Sequence, residues 1–357
     1  MPNCWKEIKD NFNLPKKVIH IIGTNGKGTT GRFLAYYLHK MGYRVGHYTS
    51  PHILKFNERI WINGKDIDDE TLEKNHQKLQ QIIPQFYLDR LSYFEYTTLL
   101  AMKSFEKLDY VILEAGLGGE YDATSVFERD MSLVTTIDID HQAFLGDTIE
   151  EIATTKLNSI KNRGIIGKQI HPEVMQIASH YPFYMQFLSE NELNEIKNFI
   201  KRNNFASYLA DNLALALSFI KREGLEFNLE YLEGIELRGR LQKIDKNLYI
   251  DVGHNPLAAR VIKNEFKNQK INLIYNTYSD KDYKEILTIL KPIINKLFII
   301  EVENDRIANK DEVLKTAKNL GIDTYEFKSL ENYPTLVFGS FSVIEKFLKD
   351  YKNRDEK

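Results

Sequence analysis

The sequence predicts two α/β domains in one chain, each built on a mostly parallel sheet. Three observations carry this. The chain has 357 residues, more than one hydrophobic core usually serves. Short apolar runs alternate with helical stretches along its length, the pattern of parallel strands joined by crossover helices. The alternation pauses near residues 233–240, where Gly234 and Gly239 punctuate the chain, and then restarts.

The elements follow in order. Residues 18–22 form an apolar run ended by glycine, a buried strand. Residues 29–41 read as a helix closed by Gly42, and 43–48 as a second strand. Helices are expected at 68–83 and 93–107, strands at 110–113 and 133–137, and helices at 148–160, 192–202 and 206–222. These make a first domain of residues 1–236. The second, 237–357, reads as strands at 248–251, 271–275, 297–300 and 336–338, alternating with helices at 256–266, 283–290, 310–320 and 341–349. A polar tail, 352–357, closes the chain.

Composition excludes more than it selects. Hydrophobic residues are 43%, enough for two cores. The net charge of -2 gives no bulk attraction to nucleic acid or to an anionic membrane, so neither is expected as a partner. Cys4 is the only cysteine, so an internal disulfide is impossible and a reducing compartment is expected. No apolar run reaches the ~18 residues of a membrane span. The first residues lack the apolar stretch of a signal peptide. A cytoplasmic monomer is the expectation.

The strongest motif is Gly23-Thr24-Asn25-Gly26-Lys27-Gly28-Thr29, between a strand and a helix. Glycines let backbone N–H groups turn inward around phosphate oxygens, and the helix N-terminus adds partial positive charge. Lys27 can reach the outer phosphates, and the Thr29 hydroxyl can face a magnesium ion. The spacing departs from the common phosphate loop: Ile21 stands at its first glycine, and Gly28 is inserted before the threonine. The first domain is therefore expected to be of P-loop ATPase type, and the smaller second one Rossmann-like.

This loop resembles that of folylpolyglutamate synthases and dihydrofolate synthases, a branch of the Mur ligase superfamily. Further motifs fit in order. Ser50-Pro51-His52 follows the second strand, then Asn57-Glu58-Arg59-Ile60 and Ile62-Asn63-Gly64. Phe94-Glu95-Tyr96-Thr97-Thr98 resembles the family's FExxT stretch, and residues 113–125 resemble its LEVGLGGRLDATN block. Asp140-His141 with Leu145-Gly146 resembles DHxxxLG. Later come Gly239-Arg240, Asp251-Val252-Gly253-His254-Asn255-Pro256, Ser279-Asp280-Lys281-Asp282 and Gly339-Ser340. The resemblance covers residues 18–345 or thereabouts.

A carboxylate does not react with an amine at neutral pH, because its carbon is shielded by delocalised charge. The resemblance implies the remedy: the γ-phosphoryl of ATP makes an acyl phosphate, and the glutamate amine displaces phosphate to leave an amide. Charge on the transferring phosphoryl demands fixed cations. Glu114 ends a strand, where ligands gather in open α/β sheets, and a carboxylate suits magnesium. The resemblance adds Thr29, Ser50 and His141 to that ion. It aligns Lys156 with a lysine that is carbamylated in relatives, an anionic ligand for a second metal. ATP, two magnesium ions and a monovalent cation are thus the implied cofactors. Asn25, Gly26, Lys27, Gly28 and Thr29 are expected at the phosphates, Asn212 near adenine, Arg240 at the phosphates, and Asp251 at the ribose or a hinge. His254 and Ser340 are expected toward glutamate. Lys27, His141, Lys156, Arg240 and His254 form the implied catalytic set.

For the pteroate or folate acid, the resemblance implies Phe94 and Tyr121 as stacking faces, with Asp122 and Ala123 as polar and backbone contacts. Core packing is the plain alternative for Phe94, and a helix cap for Ser340. The chain departs from the family in Glu120, where arginine is common, and in Ser125, where asparagine is common. The usual helix before the first strand is not visible in residues 1–17. The acceptor, dihydropteroate or a reduced folate, stays open. Two other readings remain: a Mur-type ligase for another acid or amino acid, and a nucleotide-binding regulator. A regulator or kinase has no need of the second-domain motifs.

Overall fold

Val18, Ile19, Ile21 and Ile22 leave β1 (Lys17–Ile22) buried on both faces, so it sits inside the first sheet rather than at an edge. The computed structural model describes residues 1–355, so the last two residues of the polar tail lie outside the description. Helix α1 (Pro2–Ile8) precedes β1. After it come α2 (Lys27–Lys40), β2 (Val45–Tyr48), β3 (Ile60–Ile62), β4 (Lys65–Asp66), α3 (Asp69–Ile82), α4 (Gln85–Leu88) and α5 (Tyr93–Ser104). The unit continues with β5 (Tyr110–Glu114), β6 (Met131–Val134), α6 (Gln142–Leu145), α7 (Ile149–Leu157), β7 (Gly164–Ile166), α8 (Pro172–Ala178), β8 (Phe183–Met185), α9 (Glu190–Arg202) and α10 (Leu209–Arg222).

The strands order as β4-β3-β2-β5-β1-β6-β7-β8. Only β3 runs against the others, pairing antiparallel with β2 and with β4. The chain leaves β1 for β2 on one side and later reaches β6 on the other, so the order reverses beside β1. In such sheets ligands bind at the carboxyl ends of the strands at that reversal. The loops after β1, β2, β5 and β6 all open on that edge.

The second unit holds β9 (Gln242–Asp245), β10 (Leu248–Asp251), α11 (Pro256–Glu265), β11 (Ile271–Tyr275), α12 (Tyr283–Leu290), β12 (Ile294–Ile299), α13 (Lys310–Asn319), β13 (Thr324–Tyr325), β14 (Thr335–Phe338) and α14 (Phe341–Asp355). Its sheet is β13-β12-β11-β14-β10-β9, parallel except for β9. Its core is aliphatic, with Tyr275 stacked on Phe338. Compact packing groups Met1–Ile200 with Leu209–Ile235, and Lys201–Tyr208 with the chain from Glu236 onward. Tyr208 explains the excursion: its hydroxyl donates to Asp251 Oδ2 at 2.8 Å, inside the second unit.

Several elements were not expected from the sequence: α1, α4, α8, β3, β4, β7, β8, β9 and β13. The strands among them are two to four residues long and the helices four to seven, too short for periodicity to register. A helix, α1, does precede the first strand, without the glycine and leucine of the family's helix. Its Trp5 packs edge-on against Phe12 at 5.0 Å and Phe127 at 4.7 Å. Helix α2 begins at Lys27, two residues before the expected start, with Gly26 as its cap at φ 87.

Candidate active site

The phosphate loop is shaped by neighbours on both sides. Thr24 N–H donates to Thr136 O at 2.9 Å, and its hydroxyl donates to Asp138 O at 2.9 Å. Gly26 takes a left-handed conformation that favours glycine. A Cβ there would lie 2.4 Å from Asn212 Nδ2, which itself donates to Gly26 O at 3.3 Å. Asn212 therefore clasps the loop from α10. Lys27 Nζ folds back onto the carbonyls of Gly23 and Thr24 at 3.3 and 3.2 Å. Thr29 is 3% exposed in the first turn of α2.

Glu114, at the end of β5, is held from β2. Its Oε2 accepts from the Thr49 hydroxyl and from Ser50 N–H, the latter at 3.1 Å. Both bonds fall on one oxygen, which leaves Oε1 for a cation. A Cβ on Gly28 would stand 3.0 Å from Glu114 Oε2, so the carboxylate lies against the first turn of α2 beside Thr29. The loop carrying Ser50 is braced by Glu58, whose carboxylate accepts from the N–H groups of Ile53, Leu54 and Lys55. His141 caps α6 with φ 55, and its N–H donates to Asp140 Oδ1 at 2.8 Å. Among the described residues no group of three or more His, Cys, Asp or Glu side chains is placed to hold a metal. One carboxylate flanked by hydroxyls suits magnesium nonetheless, since that ion keeps several waters and takes phosphate oxygens. The donor set fits.

Lys156 comes from α7 and is 3% exposed. Its Nζ donates to Gly23 O at 3.0 Å, the carbonyl that Lys27 also uses. Burial, then the charge of Lys27, pushes its pKa down to about 7, while Asp140 and Asp122 pull the other way. Holding the ammonium there costs about 5 kcal/mol relative to water. The neutral amine is therefore heavily populated near neutral pH.

The expected acid contacts divide. Phe94 stacks on Tyr48 at 6.0 Å, and its ring lies on Gly116, where a Cβ would meet it at 2.5 Å. Tyr121 is 87% exposed and presents an open face. Asp122 and Ala123 point inward, 7% and 6% exposed. Asp122 accepts from Leu117 N–H, Thr124 N–H and the Thr124 hydroxyl, and so braces the glycine loop. Glu120 accepts from Asn158 Nδ2 at 2.6 Å.

In the second unit, Asp251 is 4% exposed and accepts from Tyr208, Leu241 N–H and Gly253 N–H. Burial pushes its carboxyl up, against the pull of Arg240. Arg240 lies 5.7 Å from the Phe341 ring, and His254 Nδ1 lies 3.0 Å from Val252 O. Ser340 is fully buried and its Oγ accepts from Val343 N–H at 3.2 Å. That is the capping geometry of α14.

Comparison with known proteins decides what this edge belongs to. No protein-family profile matches the chain. A dihydrofolate synthase/folylpolyglutamate synthase of Haemophilus influenzae is 31% identical, covering 96% of this chain and 91% of that one. The chain belongs to the dihydrofolate synthase/folylpolyglutamate synthase family. It is an ATP-dependent ligase. Folylpolyglutamate synthetase of Helicobacter pylori is similar in structure, with 38% identity, a TM-score of 0.79, and coverage of 98% of this chain and 93% of that one. The bifunctional family member of Yersinia pestis complexed with AMPPNP and Mn ion is 26% identical, with a TM-score of 0.83, covering 98% and 92%.

Sequence reasoning missed residues that support those of the family motifs. Thr49 binds Glu114 yet stands just outside Ser50-Pro51-His52. Asp138 clasps Thr24 and is itself bound by His171 Nε2 at 2.8 Å. Position at strand ends was the available signal for Thr49 and Asp138. His171, distant in sequence, had none.

Proposed function

We propose that the chain joins L-glutamate by an amide bond to dihydropteroate, a reduced folate or both, through an acyl phosphate made with ATP. The carrying observation is convergence: Lys27, Glu114 with Thr49 and Ser50, and the buried Lys156 meet at the carboxyl edge of one parallel sheet. Lys27 leaves its carbonyl partners for the outer phosphates. Thr29, Ser50, Glu114 and His141 hold one magnesium ion, which when bound neutralises charge on the phosphates. Lys156 holds a second, as a carbamate; a neutral amine is the form that adds carbon dioxide, and the Lys156 environment favours it. We leave room for a monovalent cation beside them. The nucleotide and Mn ion of the Yersinia pestis relative support the first part of this reading.

Phe94 and Tyr121 offer faces to the acid, with Asp122 shaping the loop between them. Asn212 sits beside the nucleotide loop. From the second unit, Arg240 and Asp251 keep their implied roles toward ATP, and His254 and Ser340 toward glutamate. We take the enzyme to be a cytoplasmic monomer, on its single cysteine and modest charge.

The test is mass spectrometry of products from separate incubations with dihydropteroate and with tetrahydrofolate, each with ATP, magnesium and glutamate. Addition of one or more glutamyl groups to either acid is expected, and Lys27→Ala should abolish it. Absence of product from both acids would overturn the assignment and turn attention to another acid.

A further inference from the structure

Beneath the glycine loop a chain of buried polar side chains runs inward from Asp122, through groups to which no role has been assigned. Asp122 Oδ2 accepts from Leu117 N–H at 2.8 Å, and Oδ1 from the Thr124 hydroxyl at 2.5 Å. Thr124 Oγ1 lies 2.8 Å from His20 Nε2, and His20 Nδ1 lies 3.4 Å from Arg129 Nη1. Exposure is 7%, 1%, 0% and 4% for Asp122, Thr124, His20 and Arg129.

The direction of every bond is determined. All groups around Asp122 are donors, so the acceptor-only carboxylate fits. The Thr124 hydrogen is committed to Asp122, so its oxygen must accept from His20 Nε2–H. His20 Nδ1 is then a lone pair, and it faces an arginine N–H. Burial and the charge of Arg129 push the His20 pKa down to about 3, so the ring stays neutral. Arg129 is a buried cation whose Nε finds no partner. Its counter-charge is Asp122, reached through Thr124 and His20. The three hydrogen bonds align from cation to anion, and such chains strengthen one another at low dielectric.

What Asp122 holds is the loop of residues 116–119. Leu117 hangs from its carboxylate, and the Gly119 carbonyl accepts from the Ser125 hydroxyl. Gly116 carries the Phe94 ring, and a Cβ on Gly119 would meet Lys156 O at 2.9 Å. The loop thus meets the Phe94 ring directly, and the phosphate loop only by way of Lys156.

We propose that His20 and Thr124 are positioning residues for the acid substrate, relaying Arg129 to Asp122 and thereby fixing residues 116–119 against Phe94. The inference rests on the reading of Phe94 as part of the acid subsite. Thr124→Val removes the hydroxyl at nearly constant volume, and Thr124→Ser keeps it. Steady-state kinetics of the full chain should show Thr124→Val raising the KM for dihydropteroate or tetrahydrofolate roughly tenfold, with the KM for ATP within about twofold. Thr124→Ser should stay near wild type. His20→Leu should match Thr124→Val, and the double variant should be no worse than the worse single one, because one relay is cut only once. Hydrogen exchange of the peptide containing Leu117 should quicken in Thr124→Val and not in Thr124→Ser, with no substrate present. Unchanged exchange, additive single effects, or equal rises in all KM values would each overturn the relay. A wild-type chain that ligates neither acid would instead overturn the proposed function, and the acid-positioning clause with it.

Discussion

Lys156 carries the sharpest claim at the scale of one residue. An ammonium 3% exposed beside Lys27 is held at a cost that one carbonyl does not offset. Conversion to a carbamate replaces that cation with an anion where magnesium is expected. Lys156→Ala should be inactive, and acetate should partly restore turnover by supplying carboxylate oxygens. Full activity of the alanine variant would refute the role. His20 makes a second claim, in stability. Its pKa is about 3 in the fold against an ordinary 6.5. Between those values the unfolded chain binds a proton that the fold refuses, so stability falls as pH drops through that window. By pH 5 the loss is about 2 kcal/mol. Urea unfolding at pH 7 and pH 5 should show wild type losing that much more than His20→Gln; parallel losses would count against a neutral His20. The places of Lys27 at the start of α2 and of Glu114 at the end of β5 were legible in the sequence from the motifs around them. Thr49, Arg129 and the link from Thr124 to His20 were not, since a hydrogen bond made across the fold leaves no trace in local spacing.

At the scale of elements, long periodic segments were readable and short ones were not. Strands β10 and β11 and helix α12 have the expected bounds, each an apolar run or stripe bracketed by breakers. Strands β7 and β8 have three residues apiece; β7 pairs along the edge of β6, and β8 along β7. One missed hairpin did carry a signal. Asn63-Gly64 joins β3 to β4 with φ 48 and φ 103, the two positive values a tight primed turn requires. Helix α5 matters most to the acid side, since it presents Phe94 in its first turn. Ser92 caps it: Glu95 N–H donates to the Ser92 hydroxyl, and the Glu95 carboxylate accepts in return. Ser92→Ala should cost about 1 kcal/mol in thermal unfolding. An unshifted melting curve would mean that tertiary packing alone fixes the start of α5.

For the whole molecule, two parallel sheets were legible from alternation, and the reversal of strand order beside β1 follows once pairing is known. The path of Lys201–Tyr208 was hidden, because Tyr208 reaches Asp251 over a sequence separation of 43. No helix among the described residues is long and apolar enough to cross a membrane. Ligation turns on one chemical event, transfer of a phosphoryl group to the acid before amide formation. Its direct measurement is isotopic. The acid is supplied with its carboxylate labelled in both oxygens with heavy oxygen, together with unlabelled ATP, magnesium and glutamate. Acyl phosphate formation carries one acid oxygen onto phosphorus, and attack by the amine leaves it there. One labelled oxygen is expected in the released phosphate for each glutamyl bond formed. Unlabelled phosphate accompanying glutamylated product would contradict it.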